Sequence, residues 1–165
     1  MNPDNADVVV IGGGIIGCAT AYNLARRGAN VTLVEKGSIG DEQSGRAWGF
    51  VRQQGRDPSE IPMMMECTKM WSGLAEELEA DIEWVQGGNL ALAKDEERLA
   101  QFEEGVKIAK EFGLDSQIVT RSQIRQLLPS LEGPWIAGMY SPSDGHAEPI
   151  KQHLLLLRLQ LGMGL

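Results

Sequence analysis

An α/β fold is predicted for this chain, and three features near its start predict it. The apolar run Val8 to Ile11 has the length of a buried strand, and glycines spaced as G-x-G-x-x-G follow at Gly12, Gly14 and Gly17. A second apolar run, Val31 to Val34, lies beyond a segment of helical length. A strand, a helix and a second strand in this order form a Rossmann-like βαβ unit, which binds a dinucleotide at the turn after its first strand.

Each glycine has a separate physical role. Gly12 allows the tight turn, Gly14 lets the backbone approach a pyrophosphate, and Gly17 leaves room where the helix packs on the strand. The N–H groups at the helix start, together with the helix dipole, favour an anion. The helix is predicted over about 15–27, with Gly28 as its C-terminal stop.

The acid after the second strand narrows the choice of nucleotide. Glu35 lies 18 residues beyond Gly17, where a βαβ unit brings it to the cofactor ribose. A carboxylate there accepts hydrogen bonds from free ribose hydroxyls and repels a 2′-phosphate, so NAD or FAD fits better than NADP. The alternative is a strand–helix–strand unit without a ligand, which the combined register of strand, glycines, helix and acid disfavours.

Composition excludes several classes of protein. The chain is 42% hydrophobic and 23% charged, and its formal charge is 15 − 23 = −8 without a basic cluster, which disfavours nucleic-acid binding. Cys18 and Cys67 match no metal or redox spacing, so no metal site is predicted and Cys18 is interpreted as a packing residue. No signal peptide pattern and no apolar run of bilayer length is found. We therefore expect a cytoplasmic protein without a transmembrane segment.

The segment after Glu35 favours FAD over NAD. Residues 36–56 are rich in glycine and polar groups and are too many for an idle connection. An NAD-binding unit would soon continue into another helix and strand, whereas this loop can follow a longer cofactor. A solvated surface loop is the alternative, but Trp48, Phe50 and Val51 predict that part of the loop is buried.

Downstream, apolar periodicity predicts further helices and strands. The run Met63–Met65 is interpreted as adaptable core. The glutamates between 96 and 111 are interpreted as a solvated helix face. Asp144 and His146 lie in a turn and are assigned a turn or surface role, not an acid–base pair. The predicted elements are helix 61–80, strand 89–93, helix 95–112, a helix that begins with a capping box at 120–123 and ends at Pro129, and strand 136–140.

Five segments of the sequence together match the pattern of a known family. They are 8–17, 31–35, 43–50, 87–93 and 144–149. With them the chain resembles the FAD-dependent D-amino-acid-oxidase-like (DAO) oxidoreductases. That group includes glycine oxidase, the sarcosine oxidase β subunit, D-amino-acid dehydrogenases and opine oxidases. The resemblance extends to about Ile150. It implies a GR2-type, Rossmann-like FAD-binding unit that continues into the beginning of an α+β substrate domain.

The resemblance also implies domain bounds. Residues 1–85 would form the FAD-binding segment, 86–143 the start of a substrate-domain insertion, and 144–165 an incomplete return toward the FAD domain. The leucine run 154–157 departs from the family pattern and is too short to span a bilayer. We therefore expect an incomplete protein, with a shifted reading frame near its end; a genuine short binding module is the alternative.

The same resemblance implies roles for individual residues. The backbone of 15–16 would contact the FAD pyrophosphate, and 35–36 would hold the adenosine ribose. Residues 43–44 would hold the phosphate and ribityl region, and 48–50 would lie near the isoalloxazine. The loop has no histidine or cysteine for covalent attachment, so FAD is expected to be noncovalent. The cofactor-binding candidates are Gly12, Gly14, Ile15, Ile16, Gly17, Glu35, Lys36, Gln43, Ser44, Trp48, Gly49 and Phe50.

The implied activity is oxidation of a C–N bond in an amine or amino acid, by hydride transfer to flavin N5. It would be carried out by either an oxidase or a dehydrogenase. Catalytic residues are expected beyond Leu165, so none is assigned. The expected partners are a small amine or amino-acid substrate and a partner chain that supplies the missing half. The alternatives are a truncated non-catalytic product, one half of a split protein, and a small NAD-binding dehydrogenase.

Overall fold

The computed structural model describes residues 5–149 and 151, which belong to two compact units. The first unit combines 5–50, 73–83 and the described residues after 146, and the second combines Val51–Ser72 and Trp84–His146. The elements are β1 (Val8–Ile11), α1 (Ile15–Arg26), β2 (Val31–Val34), β3 (Phe50–Val51), α2 (Ile61–Glu77), β4 (Asn89–Ala93), α3 (Glu96–Glu111), β5 (Gln117–Thr120), α4 (Arg121–Leu127), β6 (Ala137–Ser141) and β7 (Gly145–His146).

The first unit contains the predicted βαβ arrangement. Strands β1 and β2 pair in parallel, with Val8 opposite Val31 at one end of the register. Helix α1 connects them, and it ends at Arg26 just before Gly28, whose φ of +87° is the left-handed conformation of a helix stop. Cys18 on α1 is fully buried, which confirms its interpretation as a packing residue. Burial, followed by the nearby Glu35 carboxylate, raises the pKa of its thiol.

The second unit is built on a three-stranded antiparallel sheet in the order β4-β6-β5. Helix α3 packs on this sheet, where Phe102 and Val106 form a cluster with Ala93 and Met139. A second cluster joins Ile61 at the start of α2 to Ala109 and Leu114. The strands β3, β5 and β7 were not predicted from the sequence.

Where local chemistry determines a boundary, the predicted elements agree closely with the structure. Helix α3 lies inside the predicted range, and the Asp95 carboxylate caps it by accepting from the Arg98 N–H at 2.8 Å. The capping box that Thr120 forms with Gln123 is present at the start of α4. Helix α2 ends three residues earlier than predicted, because Glu79 adopts a left-handed φ of +48°.

The prediction that Met63–Met65 are core residues is wrong for Met63, which is 60% exposed. Successive helical residues point about 100° apart, so three in a row cannot all face the core. Met65 packs against the cluster of Ile61, Ala109 and Leu114. Within the described ranges, no helix is long and apolar enough to cross a bilayer. The leucine run 154–157 lies outside the described residues.

Candidate nucleotide-binding site

The turn between β1 and α1 depends on two of the three predicted glycines. Gly12 has a φ of +108°, and its N–H donates to the Val34 carbonyl at 2.8 Å, which holds the turn against the end of β2. A Cβ built on Gly17 would overlap the Gly12 carbonyl oxygen, so α1 can approach the turn only because residue 17 has no side chain. The first of these glycines therefore supplies conformation and the last supplies close packing.

The carboxylate of Glu35 lies beside this turn. One of its oxygens accepts from the Gly13 N–H at 2.7 Å, and the other accepts from the Gly37 N–H at 2.8 Å. These hydrogen bonds, that of Gly13 most strongly, lower the pKa of Glu35 from its ordinary value, so the group is ionised at neutral pH. A carboxylate has about four lone-pair sites, so these hydrogen bonds leave Glu35 able to accept from a further donor.

The loop after β2 folds back onto the glycine turn. The Ser44 hydroxyl oxygen accepts from the Ile15 N–H at 2.9 Å, and the Gly40 N–H donates to the Gly13 carbonyl at 2.9 Å. Together they enclose a cavity of about 140 Å³. Four sequence candidates meet at this cavity. It is lined by Gly14, Glu35, Ser38, Gly40, Asp41, Glu42, Gln43 and Ser44.

Lys36 does not line the cavity. Its ammonium lies 3.7 Å from the carboxylate of Glu42, which also lies 3.4 Å from the guanidinium of Arg46. All three side chains are largely exposed, so these pairs contribute little to stability. They place two positive charges and one negative charge at the outer rim of the loop.

The expectation that the end of the loop is buried is wrong for its two aromatic residues. Trp48 is 88% exposed and Phe50 is 61% exposed, whereas Val51 is partly buried. Apolar composition indicates a preference for burial but does not show that a covering surface is available. Gly49 has a φ of +74°, and its carbonyl accepts from the Ala147 N–H at 3.0 Å. None of residues 48–50 lines the cavity beside Glu35.

Asp144 forms a polar network in the second unit that the sequence analysis missed. It is fully buried, so the surface role expected for it is wrong, although it does follow a turn; His146 is exposed. The Asp144 carboxylate accepts from the backbone N–H groups of Gln53 at 2.7 Å and Gln54 at 3.2 Å. The Gln54 side-chain amide in turn donates to the Met139 carbonyl at 3.1 Å. The partners lie about ninety positions apart in sequence, so no local pattern could have revealed them.

The parallel βαβ unit, its glycine turn and the acid after β2 together define a dinucleotide-binding protein of the Rossmann type. Comparison with known families is more specific. The chain belongs to the DAO family of FAD-dependent oxidoreductases, whose model matches residues 7–162. This confirms the predicted family, its FAD dependence and the fold class.

Individual relatives agree with this assignment. The chain is 29% identical to mitochondrial sarcosine dehydrogenase of Mus musculus, over 98% of this chain and 18% of that protein. It is 31% identical to glycine oxidase of Geobacillus kaustophilus, over 84% of this chain and 39% of that protein. The crystal structure of L-proline dehydrogenase from P. horikoshii superposes with a TM-score of 0.90 and 30% identity, over 99% of this chain and 43% of that one. The chain thus spans less than half the length of each of these relatives.

Proposed function

We propose that this chain forms the nucleotide-binding part of an FAD-dependent enzyme that oxidises a C–N bond of an amine or amino acid. The observation that carries the proposal is the convergence of the glycine turn, Glu35 and Ser44 on one cavity. Bound FAD supplies a flavin whose N5 accepts the hydride. The substrate class is supported by the names of the relatives, which act on sarcosine, glycine and L-proline. The assignment of 86–143 to a substrate domain is part of the same proposal.

The residues present are suited to the diphosphate and ribose of FAD. Within residues 5–149, the N–H groups of Gly14 and Ile16 donate to no protein acceptor, and they stand at the start of α1, where the helix dipole favours an anion. The Ile15 N–H is already bonded to Ser44, whose own hydroxyl proton remains available to a phosphate oxygen. The remaining lone pairs of Glu35 would accept the ribose hydroxyls.

The size of the cavity limits what it can hold. Its volume of about 140 Å³ is below the roughly 300–1,000 Å³ of complete small-molecule sites. In our proposal the cavity takes the ribose, with Gln43 and Lys36 near its rim, and the longer part of the cofactor extends over exposed surface. The exposed faces of Trp48 and Phe50 support stacking on the flavin, with Gly49 between them. Attachment would be noncovalent.

FAD binding is tested with the purified chain, which is incubated with FAD or with NAD and then desalted. We expect a retained flavin absorption that acid precipitation releases into the supernatant. Gly17→Ala should abolish retention, because its Cβ would push the helix away from the turn. Gly73→Ala is the matched control, since a Cβ at residue 73 meets no atom within 4 Å. Retention of NAD without FAD, or of neither nucleotide, would contradict the proposal.

The activity is tested separately by adding amines and amino acids to the flavin-loaded protein without oxygen. Bleaching of the flavin by sarcosine, glycine, L-proline or a related compound is the expected result. If FAD is retained but no member of a broad panel bleaches it, this chain does not oxidise the substrate alone, and the cofactor assignment stands.

A second candidate function is one half of an enzyme made of two chains. The observation that favours it is apolar surface on the first unit: Ile11 is 86% exposed and Val9 is 56% exposed on β1. Burial of such surface in a partner interface would be favourable. Light scattering after gel filtration tests this candidate. A chain that retains FAD and bleaches with substrate as a monomer of 18.0 kDa would contradict it.

A further inference from the structure

A second cavity lies in the second unit, and the proposed function does not use it. We call it the α4 cleft; it is lined by Arg121, Arg125, Pro129, Leu131, Glu132 and Trp135, with Gly133 beside them. Its volume of about 490 Å³ is typical of sites that hold small molecules. None of its lining residues contributes to the cavity beside Glu35.

Two guanidinium groups face this cleft from one side of α4. Arg121 and Arg125 are four residues apart, so they lie on the same face of the helix. Arg121 donates to the Gly133 carbonyl at 3.3 Å, which tethers its side chain. In the described part of the chain neither arginine forms an ion pair. Glu132 is the only acidic residue among the described residues that line the cleft, so the cleft is locally positive in a chain of formal charge −8.

The other side of the cleft is apolar and includes a planar ring. Trp135 is partly buried, and its indole lies directly over Gly133. The contact is so close that a Cβ at residue 133 would overlap the ring. Leu131 and Pro129 extend the apolar lining. Arginine forks match the oxygens of a carboxylate or phosphate, and an indole face stacks on another ring.

We propose that the α4 cleft binds a small molecule in which an oxyanion, a carboxylate or a phosphate, is attached to a planar ring. The oxyanion pairs with Arg121 and Arg125, and the ring lies against Trp135. Each half of such a ligand meets a surface of matching chemistry. The like charges of the two arginines repel one another across one helical turn, and a bound anion between them offsets this repulsion.

The proposal is tested on the whole ¹⁵N-labelled chain through the indole N–H resonance of Trp135, assigned with Trp135→Phe. Phenyl phosphate and benzoate are the probes, and inorganic phosphate and benzyl alcohol each supply one half of the ligand. We expect at least one probe to shift the resonance with saturation below about 10 mM, a few-millimolar affinity being ordinary for so small a ligand. The tighter of the two probes identifies the oxyanion. Both half-ligands should bind more weakly.

Variants show whether the arginines are responsible. Arg125→Gln should weaken binding about ten- to a hundredfold, the effect expected for a lost hydrogen bond between charged groups. Arg125→Lys keeps the positive charge but not the forked guanidinium, so its affinity should fall between those of the wild type and Arg125→Gln. Arg98→Gln on α3 is the matched control, because Arg98 bonds to Gln101 and lies outside the cleft. Thermal unfolding of each variant shows that it is folded. Any of three results would overturn the proposal. The probes cause no shift, benzyl alcohol causes an equal response, or Arg125→Gln leaves binding unchanged.

Discussion

At the scale of single residues, Glu35 connects the fold of the first unit to the proposed cofactor. Its two oxygens hold the glycine turn through Gly13 and the following loop through Gly37. The same carboxylate is the group that would accept ribose hydroxyls. Substitution at this residue therefore affects both the geometry of the turn and nucleotide binding. The effect on the turn alone can be measured without FAD, through the dependence of stability on pH.

Glu35 should make stability depend on pH in the acidic range. Its folded-state pKa is lowered, chiefly by the Gly13 N–H, so its contribution is complete above the unfolded pKa of about 4.3 and is lost as pH falls through the lower folded value. We expect the wild type to lose more stability than Glu35→Gln between about pH 5 and pH 3. Urea unfolding midpoints without FAD measure the difference. If the midpoints of the two proteins change with pH in parallel, the hydrogen bonds to the Glu35 carboxylate do not contribute to stability.

Loss of the buried Asp144 carboxylate should destabilise the second unit. Asp144→Ala leaves two buried backbone N–H groups, those of Gln53 and Gln54, without their acceptor. We expect a loss of about 2–5 kcal/mol in the free energy of unfolding. Asp144→Asn keeps one carbonyl acceptor and should lose less. Glu103→Ala, at an exposed position on α3, is the control and should change stability by less than about 0.5 kcal/mol. Denaturant unfolding monitored by circular dichroism gives the values.

At the scale of elements, agreement with the sequence follows the presence of local signals. The start of α4 was predicted from the capping box of Thr120 and Gln123. Helix α3 was predicted from apolar periodicity, and in the structure Asp95 caps its start. Strand β5 has only four residues and no turn-forming residue before α4 begins. Its strand conformation comes from pairing with β6, in which Gln117 lies opposite Tyr140.

The capping box of α4 allows a direct test of this explanation. The Thr120 hydroxyl oxygen accepts from the Gln123 N–H, and the Gln123 side chain accepts from the Thr120 N–H at 2.8 Å. Thr120→Ala should lower stability by about 1 kcal/mol, and Thr120→Ser should restore most of it. Gln126→Ala on the same helix is the control. An equal loss for Thr120→Ala and Gln126→Ala would show that the box does not stabilise α4.

At the scale of the whole molecule, FAD should stabilise the folded chain by mass action. A ligand that binds only the folded state at about 100 times its Kd adds about 2.7 kcal/mol. We expect FAD to raise the Tm and NAD at the same concentration to leave it unchanged. The Gly17→Ala protein should lose the response to FAD. A Tm that FAD does not move, in a protein shown to be folded, would contradict the proposed site.

The sequence by itself determined the local elements and the family. The glycine spacing, the position of Glu35 and the capping residues act over a few positions along the chain, so the βαβ unit, α3 and α4 could be predicted from them. The resemblance of segments 8–17, 31–35, 43–50, 87–93 and 144–149 identified the FAD-dependent family. The glycine spacing and the acid after β2 made Gly14 and Glu35 candidates, and the family resemblance added Gln43 and Ser44. The structure places these four at one cavity.

Only the tertiary structure decided which side chains are covered and which distant groups meet. Asp144 was assigned a turn or surface role; it follows a turn but is buried, and the N–H groups that satisfy its carboxylate come from Gln53 and Gln54. Trp48 was expected to be partly buried but is exposed, because nothing in its own composition supplies a covering surface. The physical reason is the same in both cases. Burial and hydrogen-bond satisfaction depend on segments far away in the chain, whereas turns and helix caps depend on immediate neighbours.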